Sequence, residues 1–316
     1  MLDIIAIGEL LIDFASQSAD AEGYPTLAAH PGGAPANFLA AAGKYGLRTA
    51  MLGKVGNDTF GKLLIGTLQN NGISTDGILT DDSVFTTLAF VTFDAAGDRS
   101  FSFARKPGAD TCITKDEIRY DLIDEAKVLH FGTLSLTDEP AREATYEAVK
   151  YARCKGRIIS FDPNLREPLW DDLEEAKKQM LWGIENSDIV KISDNEVAFL
   201  WDLSPEEGIR KLLNDYAVKL AYITCGAKGC ICSNGEYTVQ TDALKGLKVI
   251  DTTGAGDIFG GSAMSRFVKI GKAAEELTED DLRDIAEFAC RAAGLSTEKP
   301  GGISSVPSLE EIQSMQ

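Results

Sequence analysis

Basic residues are scarce in this chain of 316 residues: 31 lysines and arginines stand against 49 aspartates and glutamates, a formal charge of −18. Such a surface repels phosphate backbones and anionic lipid headgroups unless a local basic patch intervenes. None is found; the pair Lys177-Lys178 sits among acids. No nucleic acid and no membrane are therefore expected as partners, and the excess charge serves solubility. Long apolar runs are missing too, and nothing approaches the ~20 residues of a membrane span. Residues Met1 to Glu9 lack the basic segment of a secretory signal and carry an early acid, which predicts a buried first strand in a cytoplasmic protein. Histidine is limited to His30 and His130. The one cysteine cluster, Cys225, Cys230 and Cys232, has neither C-x-x-C spacing nor a second pair, so reduced thiols buried in a strand pair are expected rather than zinc. The sequon Asn57-Asp58-Thr59 carries no meaning without secretion. With 44% hydrophobic and 25% charged residues the chain has the balance of a globular protein, which excludes disordered and collagen-like classes. No internal repeat, linker or low-complexity tract interrupts it, so one domain over 1–316 is expected.

Short β-branched runs alternate with amphipathic stretches of helical length. Strands are predicted at 4–8, 49–55, 128–131, 157–162, 189–192, 220–224 and 229–233, and helices at 36–45, 59–70, 140–155, 173–186 and 205–216. Ser204-Pro205 supplies a cap followed by proline at the first helical position, while Gly46, Gly72 and Gly156 stop their helices. This alternation predicts an α/β fold of three layers, a mostly parallel sheet with helices on both faces. Two segments break the rhythm, approximately 10–30 and 84–106. The second reads as two alternating strands joined by Asp94-Ala95-Ala96-Gly97-Asp98, a hairpin with one apolar face. A small appended β-sheet is expected, acting as a lid, a dimer surface or an edge extension.

The most informative stretch is Asp251-Thr252-Thr253-Gly254-Ala255-Gly256-Asp257, a glycine-rich turn running into a helix-length apolar segment over 255–270. At such a helix start the amides of Ala255, Gly256 and Asp257 are free, glycine lets an anion approach, and the helix dipole favours negative charge. Asp257 then stands in the first turn, within reach of a hydroxyl beside a bound phosphate. Charge stabilisation and a proton acceptor are the two needs of phosphoryl transfer to an alcohol. The dinucleotide fingerprint is excluded because its third glycine is replaced by Phe259 and the motif lies outside the first βαβ unit. Gly56-Asn57-Asp58-Thr59-Phe60-Gly61-Lys62-Leu63 comes within one residue of a Walker A loop. Leu63 replaces the metal-binding hydroxyl, however, and Asp58 puts a negative charge inside the cradle.

Together with Gly32-Gly33-Ala34-Pro35-Ala36-Asn37, the 251–257 stretch resembles the paired signatures of the ribokinase-like (PfkB) carbohydrate kinases, over nearly the whole chain. The resemblance implies a parallel sheet between helices with a small β lid. It further implies Asp257 as catalytic base, the backbone of Gly254, Ala255 and Gly256 as anion hole, and Asp13, Gly33 and Asn37 as sugar contacts. Read without the resemblance, Asp13 is a turn residue and Asn37 a helix cap. Phe161-Asp162-Pro163-Asn164-Leu165-Arg166 and Arg105 resemble features of the fructokinase and 2-keto-3-deoxygluconate kinase branch, where a guanidinium suits a ketose hydroxyl cluster, a phosphate or a sugar-acid carboxylate. The family's Asn-x-x-Glu element is matched by Ser193-Asp194-Asn195-Glu196, which leaves Glu196 as the outer-shell Mg²⁺ residue and Ser193 in place of the usual asparagine.

Thr224, Gly226 and Gly229 resemble the turn lining the nucleotide phosphates and ribose, and Ala289 and Ala293 the border of the adenine pocket. Asp251, Thr253, Ser296, Lys299, Gly301 and Ser305 match a monovalent-cation site, K⁺, of some family members. The implied activity is that of an ATP-dependent sugar kinase making fructose 6-phosphate, with 2-keto-3-deoxygluconate kinase, ribokinase and aminoimidazole riboside kinase as alternatives. From other classes, a non-catalytic sugar- or nucleotide-sensing protein stands against the intact Asp257 turn, and an oxidoreductase against the missing fingerprint. ATP, Mg²⁺ and a homodimer through the lid are expected.

Overall fold

The computed structural model describes residues 1–93 and 99–314. The expected hairpin connection at 94–98 lies outside the described residues. Among these, thirteen strands are present: β1 (Ile4–Ile7), β2 (Leu11–Ala19), β3 (Pro25–Gly32), β4 (Thr49–Gly56), β5 (Ile73–Asp81), β6 (Thr87–Phe93), β7 (Arg99–Ala104), β8 (Val128–Gly132), β9 (Ile158–Asp162), β10 (Ile189–Ser193), β11 (Leu220–Thr224), β12 (Cys230–Ser233) and β13 (Thr238–Thr241). Nine of them form one sheet in the order β13-β12-β11-β10-β9-β8-β1-β4-β5, and four form a second sheet in the order β3-β2-β6-β7. The large sheet is parallel from β11 to β5 and turns antiparallel only at the β12–β13 edge. The expected α/β architecture with a separate small β-sheet is the one observed.

Alternation within the strands explains the layers. Ile4 and Ala6 pack on one side and Ile5 and Ile7 on the other, all four buried, so each face needs its own helical cover. One side is covered by α1 (Ala34–Lys44), α2 (Thr59–Asn70), α8 (Ala255–Ile270), α9 (Glu279–Ser296) and α10 (Leu309–Gln313). The other carries α3 (Tyr120–Glu125), α4 (Ala141–Cys154), α5 (Leu173–Glu185), α6 (Asp194–Trp201) and α7 (Pro205–Asp215). Because β1 and β8 to β11 are parallel, their C-terminal ends open on the same side, where ligands of such sheets collect.

The second sheet grows directly from β1 through Gly8 to Leu10. Its β2 pairs parallel with β6 and antiparallel with β3, and β6 pairs antiparallel with β7. Phe14 of β2 stacks on Phe90 of β6 at 5.3 Å between centroids and meets Phe60 of α2 edge-on at 5.5 Å. The glycine-lysine loop before α2 is no phosphate cradle. Asp58 caps α2, its Oδ1 accepting from the Phe60 and Gly61 amides at 2.8 and 2.9 Å, so a fixed carboxylate stands where a phosphate would have to lie. Asp58 Oδ2 accepts from the amide of Thr86, just before β6, and so ties the small sheet to that helix.

Cys230 and Cys232 are buried in β12, as expected, whereas Cys225 lies half-buried in the turn after β11, and all six cysteines are free. No helix among the described residues is long and apolar enough to cross a membrane.

Candidate active site

A cavity of about 570 Å³ lies between the C-terminal ends of the central strands, the small sheet and the start of α8. Asp13, Gly33, Asn37, Arg166, Gly254, Gly256 and Asp257 all line it, which brings together most of the residues the sequence singles out. Leu11, Phe103 and Leu134 add an apolar rim.

The start of α8 depends on Gly254, whose φ of 75° is a left-handed conformation that glycine adopts without strain. A Cβ there would lie 2.9 Å from the Gly302 Cα and 3.1 Å from the Asn37 amide nitrogen. A bare backbone therefore fits between α1 and the 300–305 segment. The expected row of three free amides needs one correction. The Ala255 N–H donates to the Thr252 carbonyl at 3.3 Å, so this donor is already turned into its own loop. The Gly256 and Asp257 amides keep no backbone acceptor among the described residues, leaving a two-amide anion site at the helix terminus.

Asp257, only 6% exposed, is held on both oxygens. Asn37 donates to Oδ2 at 2.9 Å and Asn164 to Oδ1 at 3.3 Å. Asn37 is thus neither a cap nor simply a wall residue: it sits inside α1, capped by Gly33, and aims the carboxylate. Burial raises the Asp257 carboxyl above the ordinary range, opposed by the Asn37 hydrogen bond, Lys191 and Arg166, and reinforced by Glu196. Beneath this residue lies an ion pair between Lys191 of β10 and Asp162 of β9, 2.9 Å apart and both largely buried. Burial alone would lower the Lys191 ammonium, but the carboxylates of Asp162, Glu196 and Asp257 raise it. A Cβ on Gly256 would lie 2.8 Å from the Lys191 nitrogen, so the cation sits directly against the anion site.

Asp13 is not in a turn; it belongs to β2, opposite His30 of β3 and Ala89 of β6. Its Oδ2 is 2.7 Å from where a side chain on Gly32 would begin, which is why glycine stands there. Burial pushes its carboxyl up to about 6, with Arg166 opposing and Asp257 and Asp251 adding to the rise. Glu196 and Ser193 form a capping box at the start of α6: Glu196 Oε2 accepts from the Ser193 amide and hydroxyl, both at 2.8 Å, and Oε1 from the Leu165 amide at 2.7 Å. Ser193 is therefore a cap, and Glu196 anchors the loop that carries Asn164 and Arg166.

Arg105 requires a second correction. It does not stand on the cavity wall as a substrate contact. Its guanidinium is buried, 2.7 Å from Asp110, and donates to the Thr137 hydroxyl and the Leu134 carbonyl at 2.7 and 2.8 Å. With its donors so engaged, it braces the end of β7 in the small sheet against the 134–137 turn.

Thr224, Gly226 and Gly229 lie outside this cavity, at the neighbouring end of β11 and the turn into β12, where Gly226 and Gly229 have φ of 53° and 94°. On α9, Ala289 is fully buried and Ala293 half-buried. Asp251 gathers the last group of expected residues: Oδ1 accepts from the Thr253 amide and hydroxyl at 2.9 and 2.7 Å, and Oδ2 from the Gly301 amide at 3.0 Å. Ser296 and Ser305 are buried nearby, each donating to a backbone carbonyl, of Ala293 and Gly302, while Lys299 pairs outward with Glu311 at 2.6 Å.

No three metal-ligating side chains converge among the described residues. Three carboxylates, Asp162, Glu196 and Asp257, nonetheless sense one another around the anion site, a donor set that fits a hydrated divalent cation shared with phosphate oxygens rather than a closed protein cage. Sequence reasoning assigned no role to Asn164, Lys191 or Glu9. For Lys191 a signal existed: a cation at the centre of an otherwise apolar buried strand.

The chain matches the model of the pfkB family of carbohydrate kinases over residues 1–309. It is 40% identical over 323 residues to fructokinase-2 of Solanum habrochaites, covering 98% of this chain and 94% of that protein. Among solved structures, the fructokinase of Xylella fastidiosa with bound ATP superposes with a TM-score of 0.90 at 28% identity, covering 100% of this chain and 98% of that one. A fructokinase double mutant of Vibrio cholerae O395 with fructose, ADP and potassium ion bound gives a TM-score of 0.87 at 28% identity, covering 99% and 98%.

Proposed function

Because this chain belongs to the pfkB family of carbohydrate kinases, we propose that it is an ATP-dependent fructokinase that phosphorylates the 6-hydroxyl of fructose. The observation that carries this reading is Asp257, nearly dry, clamped by two amide side chains at a helix start and facing a cavity of about 570 Å³, roomy enough for a sugar beside a phosphate. Its carboxylate takes the proton of the attacking hydroxyl while Asn37 and Asn164 hold it in line. The Gly256 and Asp257 amides and the α8 dipole accept the charge that develops on the transferring phosphoryl group. Asp13 accepts sugar hydroxyls, with the Gly33 backbone and Arg166 lining the same cavity.

A divalent cation, Mg²⁺ in this proposal, would neutralise phosphate charge, held through water by Glu196. A monovalent cation, K⁺, is proposed for the Asp251, Thr253, Ser296 and Ser305 corner, with backbone carbonyls around Gly301 and Lys299 as its ligands. ATP is proposed to lie along Thr224, Gly226 and Gly229 toward Ala289 and Ala293. A second copy of the chain is proposed to pair through the lid sheet, whose β3 is largely exposed; sedimentation velocity reads this directly.

A second reading, 2-keto-3-deoxygluconate kinase, is favoured by one observation: Arg166 lines the cavity as a guanidinium that a sugar-acid carboxylate would satisfy. ADP release measured over a sugar panel separates the two. Fructose is expected to give the highest kcat/KM; a sugar acid ahead by orders of magnitude overturns the choice of sugar, and no release with any sugar overturns the kinase. The same assay carries a pH test. Asp13, raised to about 6, and Asp257, also raised, must both be ionised to work. kcat/KM should therefore fall as pH drops through about 6, and a profile flat from about pH 5 to 7 contradicts their roles.

A further inference from the structure

We propose that Glu9 is a positioning residue for the sugar, capping α1 from the end of β1 and thereby holding the Gly32-Gly33 turn and Asn37 in place against the substrate. The inference rests on the sugar-kinase reading above and adds a residue to it.

The helix that carries Asn37 starts without a cap of its own, because its N-cap is Gly33, with φ 114° and no side chain. The missing acceptor comes from elsewhere in the chain. Glu9 Oε1 accepts the Ala34 amide at 2.7 Å. The backbones are equally close: a Cβ on Gly33 would collide with the Glu9 carbonyl oxygen, so the turn rests directly on this residue. Glu9 is 2% exposed and its Oε2 is buried with no hydrogen-bond partner. Burying a carboxylate with an idle oxygen is costly and contributes little to packing, so the group is more than filler.

The charged groups facing it are Arg105 and Asp110. Arg105, at the end of β7, is bound to Asp110 and to the Leu134 carbonyl, and has Asp138 3.6 Å away; Asp110 in turn accepts from Thr87 at the start of β6. Glu9 therefore stands where three parts meet: the first strand, the sugar-facing turn, and the root of the lid.

Its state of charge follows from that burial. Desolvation pushes the carboxyl up to about 7, with its own backbone amide, the Ala34 amide and Arg105 opposing and Asp110 adding to the rise. Above that pH the carboxylate makes a charge-assisted bond to a helix N-terminus; below it the bond becomes neutral and weaker. Sugar affinity should thus decline as pH falls through about 7, separately from the proton transfer at Asp257.

Glu9→Gln keeps the shape and one acceptor but cannot ionise. With whichever sugar the enzyme turns over, its KM for sugar at about pH 8 is expected to rise roughly three- to tenfold, the effect of one charge at a helix terminus. kcat and the KM for ATP stay within about twofold, and the difference from the unsubstituted enzyme vanishes below about pH 6. An unchanged sugar KM at pH 8, or a loss confined to kcat, overturns the proposal. A second measurement needs neither a variant nor turnover. In the intact protein labelled with ¹⁵N-alanine, the Ala34 amide should titrate with a midpoint near 7. A shift that is flat from about pH 5.5 to 8.5 overturns the cap even if the kinase reading stands, and a titrating amide in a protein that phosphorylates no sugar fails the kinase reading alone.

Discussion

Asp257→Asn is expected to reduce kcat by about 10²- to 10⁴-fold, the usual contribution of a positioned general base, while the fold and nucleotide binding persist. The substitution is isosteric and removes a charge that burial already disfavours, so the stability penalty is confined to the two amide contacts. Asparagine can accept from Asn37 or from Asn164 through its single oxygen, but its own NH₂ group then faces the other donor. That mismatch costs about 1–3 kcal/mol at most, well within the reach of a folded domain. Circular dichroism should give a cooperative melt, calorimetry should give ATP affinity close to that of the unsubstituted enzyme, and ADP release with fructose should be lost. Turnover within tenfold of the unsubstituted rate would remove Asp257 from its role.

The second large effect concerns stability. Lys191→Met takes away the ammonium 2.9 Å from Asp162 and strands a buried carboxylate. Removing one partner of such a pair typically costs about 3–5 kcal/mol, which in a domain of this size corresponds to a fall in Tm of about 5–8 °C. The sign of the pH dependence follows from burial, which raises the Asp162 carboxyl toward about 6 even with the cation present. Without Lys191 that group rises further and is neutral at low pH, so the gap in Tm should be widest near pH 8 and narrow toward pH 5. Adding Asp162→Asn to the same chain should recover part of the loss, because the carboxylate paired directly with Lys191 is then neutral while those of Glu196 and Asp257 remain. Scanning calorimetry across this pH range reads all three outcomes. A Tm within about 2 °C of the parent at pH 8 would mean the pair contributes little.

The parallel sheet was legible because its strands are apolar on both faces, so β1, β4 and β8 to β11 stand out as short runs between helices. β5 and β13 were not. Ile73–Asp81 and Thr238–Thr241 are outer strands with half-exposed polar positions, and their signal comes from pairing partners rather than from composition. Without the family resemblance Asp13 looks like a turn residue, and with it like a sugar contact; it lies within β2 and lines the cavity, so strand and cavity wall are the same place. Asp257 and the glycine turn were recognisable since a helix start and its first-turn acid are contiguous in sequence. The long-range partnerships were hidden. Arg105 looks like a free guanidinium in sequence, and only the bend after β7 brings Asp110 and the Leu134 carbonyl to it. Glu9 and Ala34 are 25 residues apart and meet only because β1 ends under α1.

Among the described residues the small sheet is held to the main body at a few points. Phe14 leans on α2, Asp58 fastens that helix to the Thr86 amide, and Arg105 secures the other end. These few ties separate two possible fates of the γ-phosphate. On the proposed function, when they hold, the acceptor beside Asp257 is a carbohydrate alcohol. If they loosen, bulk solvent enters, and the same carboxylate activates water, consuming ATP to no purpose. Damage at the root of this sheet should therefore surface first as futile hydrolysis, in an enzyme whose main body is still intact.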